Sequence, residues 1–331
     1  MRESVEYAIK VFALQACTIE PVTAHPGGRN FVFVCTAPDG DKKVLRISAL
    51  CDRDKEHYLA ETEFVHYLAQ NGAPVADVCP SVSGNYVESF VRDGREVCLS
   101  VYQYAKGILL SDNGYRYREG APLEEYFFNT GKVLGKLHQL SKRYTPQHNR
   151  DHYFDKYNMA YIHSLIPDAY ADLKNAIAQR LQAFQALPTD SDVYGLIHFD
   201  FSDGNYHIDM SNGELTVFDF DNCINCWYMF DLANLFIHGE GWCRFEPEPQ
   251  KRMAFMQYYF DKILEGYRTE TDITEESLSK LQLFIDMVHI ENIVDEFECC
   301  AREGEEMDYE DIEDAAECLL HNIPFAGIGE P

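Results

Sequence analysis

The hydrophobic period changes once along the chain, and that change limits the folds open to it. Residues 17–104 read as short β runs separated by turn signals: 31–36, a turn at Asp39-Gly40-Asp41, 43–47, then 86–91, a turn at Asp93-Gly94, and 97–102. One helix over 56–71 interrupts them, stopped by Gly72 and Pro74. An amphipathic helix at 4–16, with Val5, Ile9, Phe12 and Ala13 on its apolar stripe, precedes the strands. Beyond Gly107 the period is helical over 123–143, 168–186, 227–238, 250–267, 275–300 and 309–321, with a strand-rich segment at 194–221 among them. The expectation is an α+β chain. A small antiparallel β lobe with one key helix (1–102) passes through a hinge (103–107) into a large, mainly helical lobe (108–331).

Charge narrows the partners. The 331 residues carry 28 Lys and Arg against 55 Asp and Glu, a net of −27. Residues 1–187 are nearly neutral at −1, whereas 188–331 carry −26. Nucleic acid is excluded, because phosphate-backbone binding needs a basic footprint. The first residues lack the apolar core of a secretory signal, and no run approaches the roughly 18 apolar residues that span a bilayer. A soluble, cytoplasmic protein with no membrane partner is expected. Its 11 cysteines then read as thiols. Cys223-x-x-Cys226 and Cys299-Cys300 offer zinc as an alternative, but no second C-x-x-C pair follows at a zinc-ribbon distance.

The stretch that carries chemistry runs from Leu196 to Asp221. Asp200, Asn205 five residues on and Asp219 fourteen further emerge from apolar surroundings. This is the spacing of phosphoryl transfer, in which one Asp takes the acceptor proton while an Asn and a second Asp hold Mg²⁺ against nucleotide phosphates. A polar hairpin turn at Ser202-Asp203-Gly204-Asn205 is the plain alternative. It explains the turn but not two carboxylates inside apolar runs, where a lone charge is costly. In the first half, strand alternation puts Val44 and Arg46 on one face, Leu45 and Ile47 on the other. Glu61 falls on the inward stripe of the helix with Phe64, Val65 and Leu68, and Arg46 is its expected partner. Glu63, about 200° round the helix, reads as solvated. Gly27-Gly28-Arg29-Asn30 is a turn that could lie over phosphates, a weak signal alone.

Taken together, these residues resemble the aminoglycoside phosphotransferase and choline kinase-like superfamily, in particular its branch with the stress-response kinase and homoserine kinase-like proteins. The likeness runs through Gly27–Asn30, Val44-Leu45-Arg46, Glu61, Ala73-Pro74-Val75, Gln103-Tyr104-Ala105-Lys106-Gly107, Gly135-Lys136-Leu137-His138, His198-x-Asp200-x4-Asn205, Asp219 and Phe230-Asp231-Leu232-Ala233. It implies a bilobal protein kinase-like fold and an ATP-dependent phosphotransferase, with GTP as the alternative nucleotide and Mg²⁺ as the metal. It further implies Asp200 as base, Asn205 and Asp219 as metal ligands, and Arg46 at the phosphates with Glu61 as its partner. Gly28 and Asn30 would lie over the nucleotide, Val44 against its base, and the Gln103–Ala105 backbone on its hydrogen-bonding edge. Asp231 would support the catalytic loop, and His198 would pack beneath it.

Three positions depart from that pattern. Phe199 stands where the family has Gly, Arg46 replaces Lys, and Asp221 follows Asp219 as either a further metal ligand or a partner for a nearby donor. Trp227, His238 and Trp242 are candidate acceptor-site residues beside Asp200, with core packing as the alternative. The run from Glu291 to Glu317 holds 13 acidic residues and one basic, a solvated face or the mouth of a site for a cationic acceptor. The expected activity is phosphoryl transfer to a hydroxyl of a small, amine-bearing molecule, an antibiotic or an amino alcohol. A Ser/Thr protein kinase of the stress-response type and a nucleotide-binding pseudokinase are the alternatives. The oligomeric state is not legible.

Overall fold

The structure, a computed structural model, describes residues 2–22, 30–48 and 53–325. In chain order its elements are α1 (Arg2–Val11), β1 (Thr18–Pro21), β2 (Asn30–Thr36), β3 (Lys42–Ser48), α2 (Lys55–Gln70), β4 (Val78–Cys79), β5 (Glu88–Arg92) and β6 (Arg95–Gln103). There follow α3 (Leu123–Ser141), α4 (Tyr153–Lys156), α5 (Met159–Leu165), α6 (Ala171–Gln185), β7 (Tyr194–Ile197), β8 (Tyr206–Ile208), β9 (Leu215–Val217) and β10 (Ile224–Trp227). The rest is helical: α7 (Tyr228–His238), α8 (Glu240–Cys243), α9 (Pro249–Tyr267), α10 (Glu275–Leu278), α11 (Leu281–Glu303) and α12 (Glu313–His321).

The chain forms two compact units. The first contains Met1–Arg118, Tyr144–Arg150 and Asp203–Asp221. Its sheet runs β1-β2-β3-β6-β4, with β5 also paired to β6, and every pairing is antiparallel. Leu45 and Ile47 of β3 join Leu99 and Val101 of β6 in a core with Ala8, Phe12 and Leu14. The opposite face of β3 therefore carries Val44 and Arg46. The first helix is shorter than its apolar period suggests. It ends at Val11, Ala13 is exposed with φ +54°, and the fully buried stripe is Ser4, Ala8 and Phe12. Asp54 caps α2 by accepting from the His57 amide at 3.2 Å. Glu63, expected in solvent, is half-buried and accepts from the amides of Gln147 (2.8 Å) and His148 (3.0 Å). The period of α2 is right there, but a remote segment supplies the cover.

The β8–β9 hairpin joins this unit through two bridges. Val217 pairs with Val75, and Ile208 exchanges backbone hydrogen bonds with Ile108 at 2.8 and 3.1 Å. Gly107 makes the second bridge possible: its φ is +95°, and a Cβ there would lie 2.1 Å from the Ile208 carbonyl oxygen.

The second unit contains Glu119–Arg143, Asp151–Ser202 and Asn222–Pro331. Helix α3 packs along α9, and the short β7–β10 ladder leads into α7. Two helical segments, α4 and α5, lie where the sequence period gave no signal. The helix expected over 275–300 is two, because Ser279 and Lys280 separate α10 from α11. Among the described residues no helix is long and apolar enough to cross a membrane.

Candidate active site

In the first unit Arg46 is the hub of a buried charge cluster. It is 6% exposed, and its Nη2 donates to Glu61 Oε2 at 2.5 Å and to the Tyr102 hydroxyl at 2.9 Å. Tyr102 in turn donates to Glu61 Oε1 at 3.2 Å, so one carboxylate receives both donors. Strand register explains the trio, since β3 and β6 pair residue 46 with 100 and 44 with 102, and α2 delivers Glu61 from its inward stripe. Arg46 Nη1 also lies 3.7 Å from Asp219 Oδ1 and 3.9 Å from Asp221 Oδ1. Burial opposes its charge, but Glu61, Tyr102 and Asp221 outweigh burial and hold the guanidinium pKa well above its usual range.

Asn205 and Asp219 bracket the open end of the β8–β9 hairpin. The Phe218 amide donates to the Asn205 carbonyl at 2.9 Å, which places residue 205 one step from Asp219 across the ladder. Asp219 adopts φ +61°, a left-handed conformation uncommon outside glycine, and its side chain is 53% exposed. Desolvation and then the Asp221 carboxylate push its carboxyl up to about 6, against the pull of Arg46. Asp221 is committed differently. Its Oδ1 pairs with Arg53 at 2.7 Å, and its carbonyl accepts from Arg53 (2.5 Å) and Arg150 (2.7 Å). It is thus a partner for nearby donors. The ladder brings the backbones of Asn205 and Asp219 close, and an amide with a carboxylate offers the oxygen donors a hard divalent cation takes.

Of the remaining positions expected to meet a nucleotide, Val44 shares the Arg46 face and pairs with Tyr102. Asn30 opens β2 opposite Ser48, while Gly28 and its turn lie outside the described residues. At 103–105 the Gln103 amide donates to the Asp77 carbonyl (2.8 Å) and the Ala105 carbonyl meets His207 Nδ1 (2.9 Å).

In the second unit Asp200 is half-buried and directly follows Phe199, whose φ is +71°. At such an angle Gly would sit without strain. Here the strain is held by packing, the Phe199 ring stacking on Phe230 at 4.3 Å and 9°. Asp231, fully buried, accepts from the His198 and Phe199 amides at 3.2 and 3.0 Å. The His198 ring is itself buried, edge-on to Phe201.

The acidic run that starts at Glu291 supplies a carboxylate group, one member of which feels the charge of Asp200. Glu291 of α11 hydrogen-bonds Asp295 one turn on, and burial, then Asp295, push the Glu291 carboxyl well above its usual range, with Asp200 adding to the push and Lys156 opposing it. Lys156 Nζ lies 3.2 Å from Asp295 and 3.1 Å from Glu298, and the Tyr161 hydroxyl donates to Glu298 at 2.5 Å. The only trace of this in the sequence was the acidic excess after residue 290.

The aromatic candidates fare differently. Trp227 is core: it is 2% exposed, its Nε1 donates to the Pro188 carbonyl at 2.7 Å, and its ring meets Tyr194, Phe154 and Phe284. No face of that indole is left for an acceptor. Trp242 is half-buried against Tyr126 and Phe127, and His238 is exposed at the end of α7. Missed by the sequence reading were Tyr102, readable only from β6 alternation, and Arg53 and Arg150, which meet Asp221 from distant segments.

Comparison with known proteins fits this geometry. The model of the phosphotransferase enzyme family matches residues 21–269. Amicoumacin kinase of Bacillus subtilis (strain 168) is 26% identical over 266 residues, covering 79% of this chain and 75% of that protein. The structure of amicoumacin kinase hAmiN in complex with AMP-PNP, Ca²⁺ and Ami superposes with a TM-score of 0.80 at 22% identity, over 98% of this chain and 94% of that one. The microcompartment-associated aminopropanol kinase gives 0.71 at 16% identity, over 96% and 94%. The expected α+β, protein kinase-like fold is the fold of these structures. The chain belongs to the phosphotransferase enzyme family, and it is a kinase.

Proposed function

We propose that this kinase transfers the γ-phosphoryl group of ATP to a hydroxyl of a small, amine-bearing molecule. The acceptor oxygen attacks the γ-phosphorus, the bond to the β-bridging oxygen breaks, ADP leaves, and the hydroxyl proton passes to the Asp200 carboxylate. Arg46, held by Glu61, meets the phosphates. Val44 lies against the base, and the backbone at Gln103–Ala105 takes its hydrogen-bonding edge. Asn205 and Asp219 hold Mg²⁺, which neutralises phosphate charge when bound. The nucleotide lobe of this reading is 1–102 and its hinge 103–107.

The observation that carries the acceptor class is the carboxylate group of α11, whose Glu291 feels the charge of Asp200. Asp295 and Glu298 share one cation, Lys156, while burial and Asp295 favour the protonated form of Glu291, in a half of the chain whose net charge is −26. A positively charged acceptor is the complement of such surroundings. The amicoumacin and aminopropanol kinases, named for amine-bearing compounds, agree with it.

The test is turnover of ATP and of GTP with Mg²⁺ against aminoglycosides, amicoumacin, aminopropanol and uncharged polyols, at low and high salt. Amine-bearing alcohols should react, with kcat/KM falling as salt rises. Reaction of uncharged or anionic alcohols alone, insensitive to salt, would overturn the acceptor class. Labelled ATP in a cell lysate should mark no protein beyond a trace of the enzyme itself, and strong labelling of a protein would favour the Ser/Thr kinase.

A further inference from the structure

We propose that Tyr267 is a positioning residue for the Asp200 loop, acting through His138 and Asp231. The inference rests on Asp200 being the base. Asp231 Oδ2 lies 3.1 Å from His138 Nε2 as well as 3.2 Å from the His198 amide, and Oδ1 takes the Phe199 amide at 3.0 Å. His138 Nδ1 lies 3.0 Å from the Tyr267 hydroxyl. Asp231 is fully buried, His138 is 1% exposed and Tyr267 0%.

The chemistry fixes the direction of this chain. Burial lowers the His138 pKa, so the ring is neutral, and it raises that of Tyr267, so the hydroxyl keeps its proton. A carboxylate only accepts, so the imidazole proton is assigned to Nε2, and Nδ1 receives the Tyr267 hydroxyl. Tyr267 thus orients His138, and His138 fixes one oxygen of Asp231. Both oxygens of Asp231 then hold the amides that precede Asp200. The Phe199 amide belongs to a residue at φ +71°, a conformation that persists only when its surroundings over-determine it.

The helices are shaped to bring the pair together. A Cβ on Gly131 would lie 1.9 Å from the Ile263 carbonyl oxygen, one on Gly266 1.9 Å from that of Phe128, and one on Gly135 2.6 Å from that of Tyr267. Gly131, Gly135 and His138 share one face of α3 at i, i+4 and i+7. Backbone contact along this face is what lets a Tyr on α9 reach a His on α3.

The experiment uses the full chain with ATP and Mg²⁺ alone, water serving as acceptor, and follows the Phe199 amide by ¹⁵N-phenylalanine labelling. Tyr267→Phe and His138→Leu should lower the rate of ATP hydrolysis by about three- to tenfold, the worth of one buried hydrogen bond, with the KM for ATP within about twofold of wild type. Both should shift the Phe199 amide resonance upfield, as its acceptor loosens. His138→Gln, whose amide can donate to Asp231 and accept from Tyr267, should recover most of the rate. A merely structural role would instead lower Tm and leave the rate of the folded enzyme and the Phe199 resonance unchanged, which would overturn the proposal. Full activity of Asp200→Asn would refute the base assignment, while the Phe199 resonance would still report whether the Tyr267–His138 contact governs the loop.

Discussion

Replacing Glu61 with Ala separates what its carboxylate does for folding from what it does for the site. At an effective dielectric of about 20, the Arg46–Glu61 contact at 2.5 Å corresponds to about 7 kcal/mol of gross attraction. The contacts to Asp219 at 3.7 Å and Asp221 at 3.9 Å correspond to about 4 kcal/mol each, and the first is screened further because half of Asp219 is exposed. Removing one partner of a buried pair costs about 3–5 kcal/mol net, and the remaining carboxylates should keep this case near 3.

The function should suffer separately from stability. Without Glu61 the guanidinium relaxes toward Asp219, where it competes with a divalent cation and leaves the position it needs at the phosphates. Steady-state kinetics at varied ATP and Mg²⁺ should show both half-saturation values rising by about tenfold, equivalent to about 1.4 kcal/mol of lost positioning. Thermal melting should show a fall of several degrees. If Tm falls while both half-saturation values stay at wild type, the pair is a structural strut and the phosphate role of Arg46 is wrong.

Phe199→Gly relieves a left-handed strain of about 1 kcal/mol but forfeits a buried ring whose removal costs about 3–5, so a net loss of about 2–4 kcal/mol is expected in denaturant unfolding; a stabilised variant would show that strain, not stacking, dominates. Burial brings the His289 imidazole down to about 4 from 6.5, against the pull of Asp286 and Asp314. Between those values the unfolded chain binds a proton that the folded one refuses. Stability present above about pH 6.5 should therefore fall as pH drops toward 4, by about 3 kcal/mol in all. His289→Asn should flatten that limb, and an unchanged slope would assign it to other groups.

What could be read from the sequence was whatever depends on local period. The β3 alternation and the inward stripe of α2 follow from two- and 3.6-residue repeats, and the Arg46–Glu61 contact followed from combining them, whereas Asp200, Asn205 and Asp219 were read from motif spacing. What failed needed knowledge of remote cover. Glu63 looked solvated because the Tyr144–Arg150 segment that shields it is more than 80 residues away. For Trp227 the choice between pocket wall and core stayed open, because an apolar residue near a site and one beneath it share the same pattern, and the structure puts it in the core. Helix α1 ran five residues too far on paper, since nothing in its period marks the left-handed Ala13. The carboxylates at 291, 295 and 298 were lost in a general acidity that only their tie to Lys156 and Asp200 resolves.

The β8–β9 hairpin, sewn to Val75 and Ile108, sets a rule for how such enzymes can be recombined. A fragment that stops at residue 118 keeps the sheet, Arg46 and Glu61, but lacks Arg150, Asn205, Asp219 and Asp221, and leaves the Val75 and Ile108 backbone bridges without their mates. Exchange of nucleotide-handling parts between relatives therefore has to carry residues 1–118, 144–150 and 203–221 as one block. A single crossover within 103–107 would yield a chimera whose Arg46 comes from one parent and whose Asp219 and Asp221 come from the other.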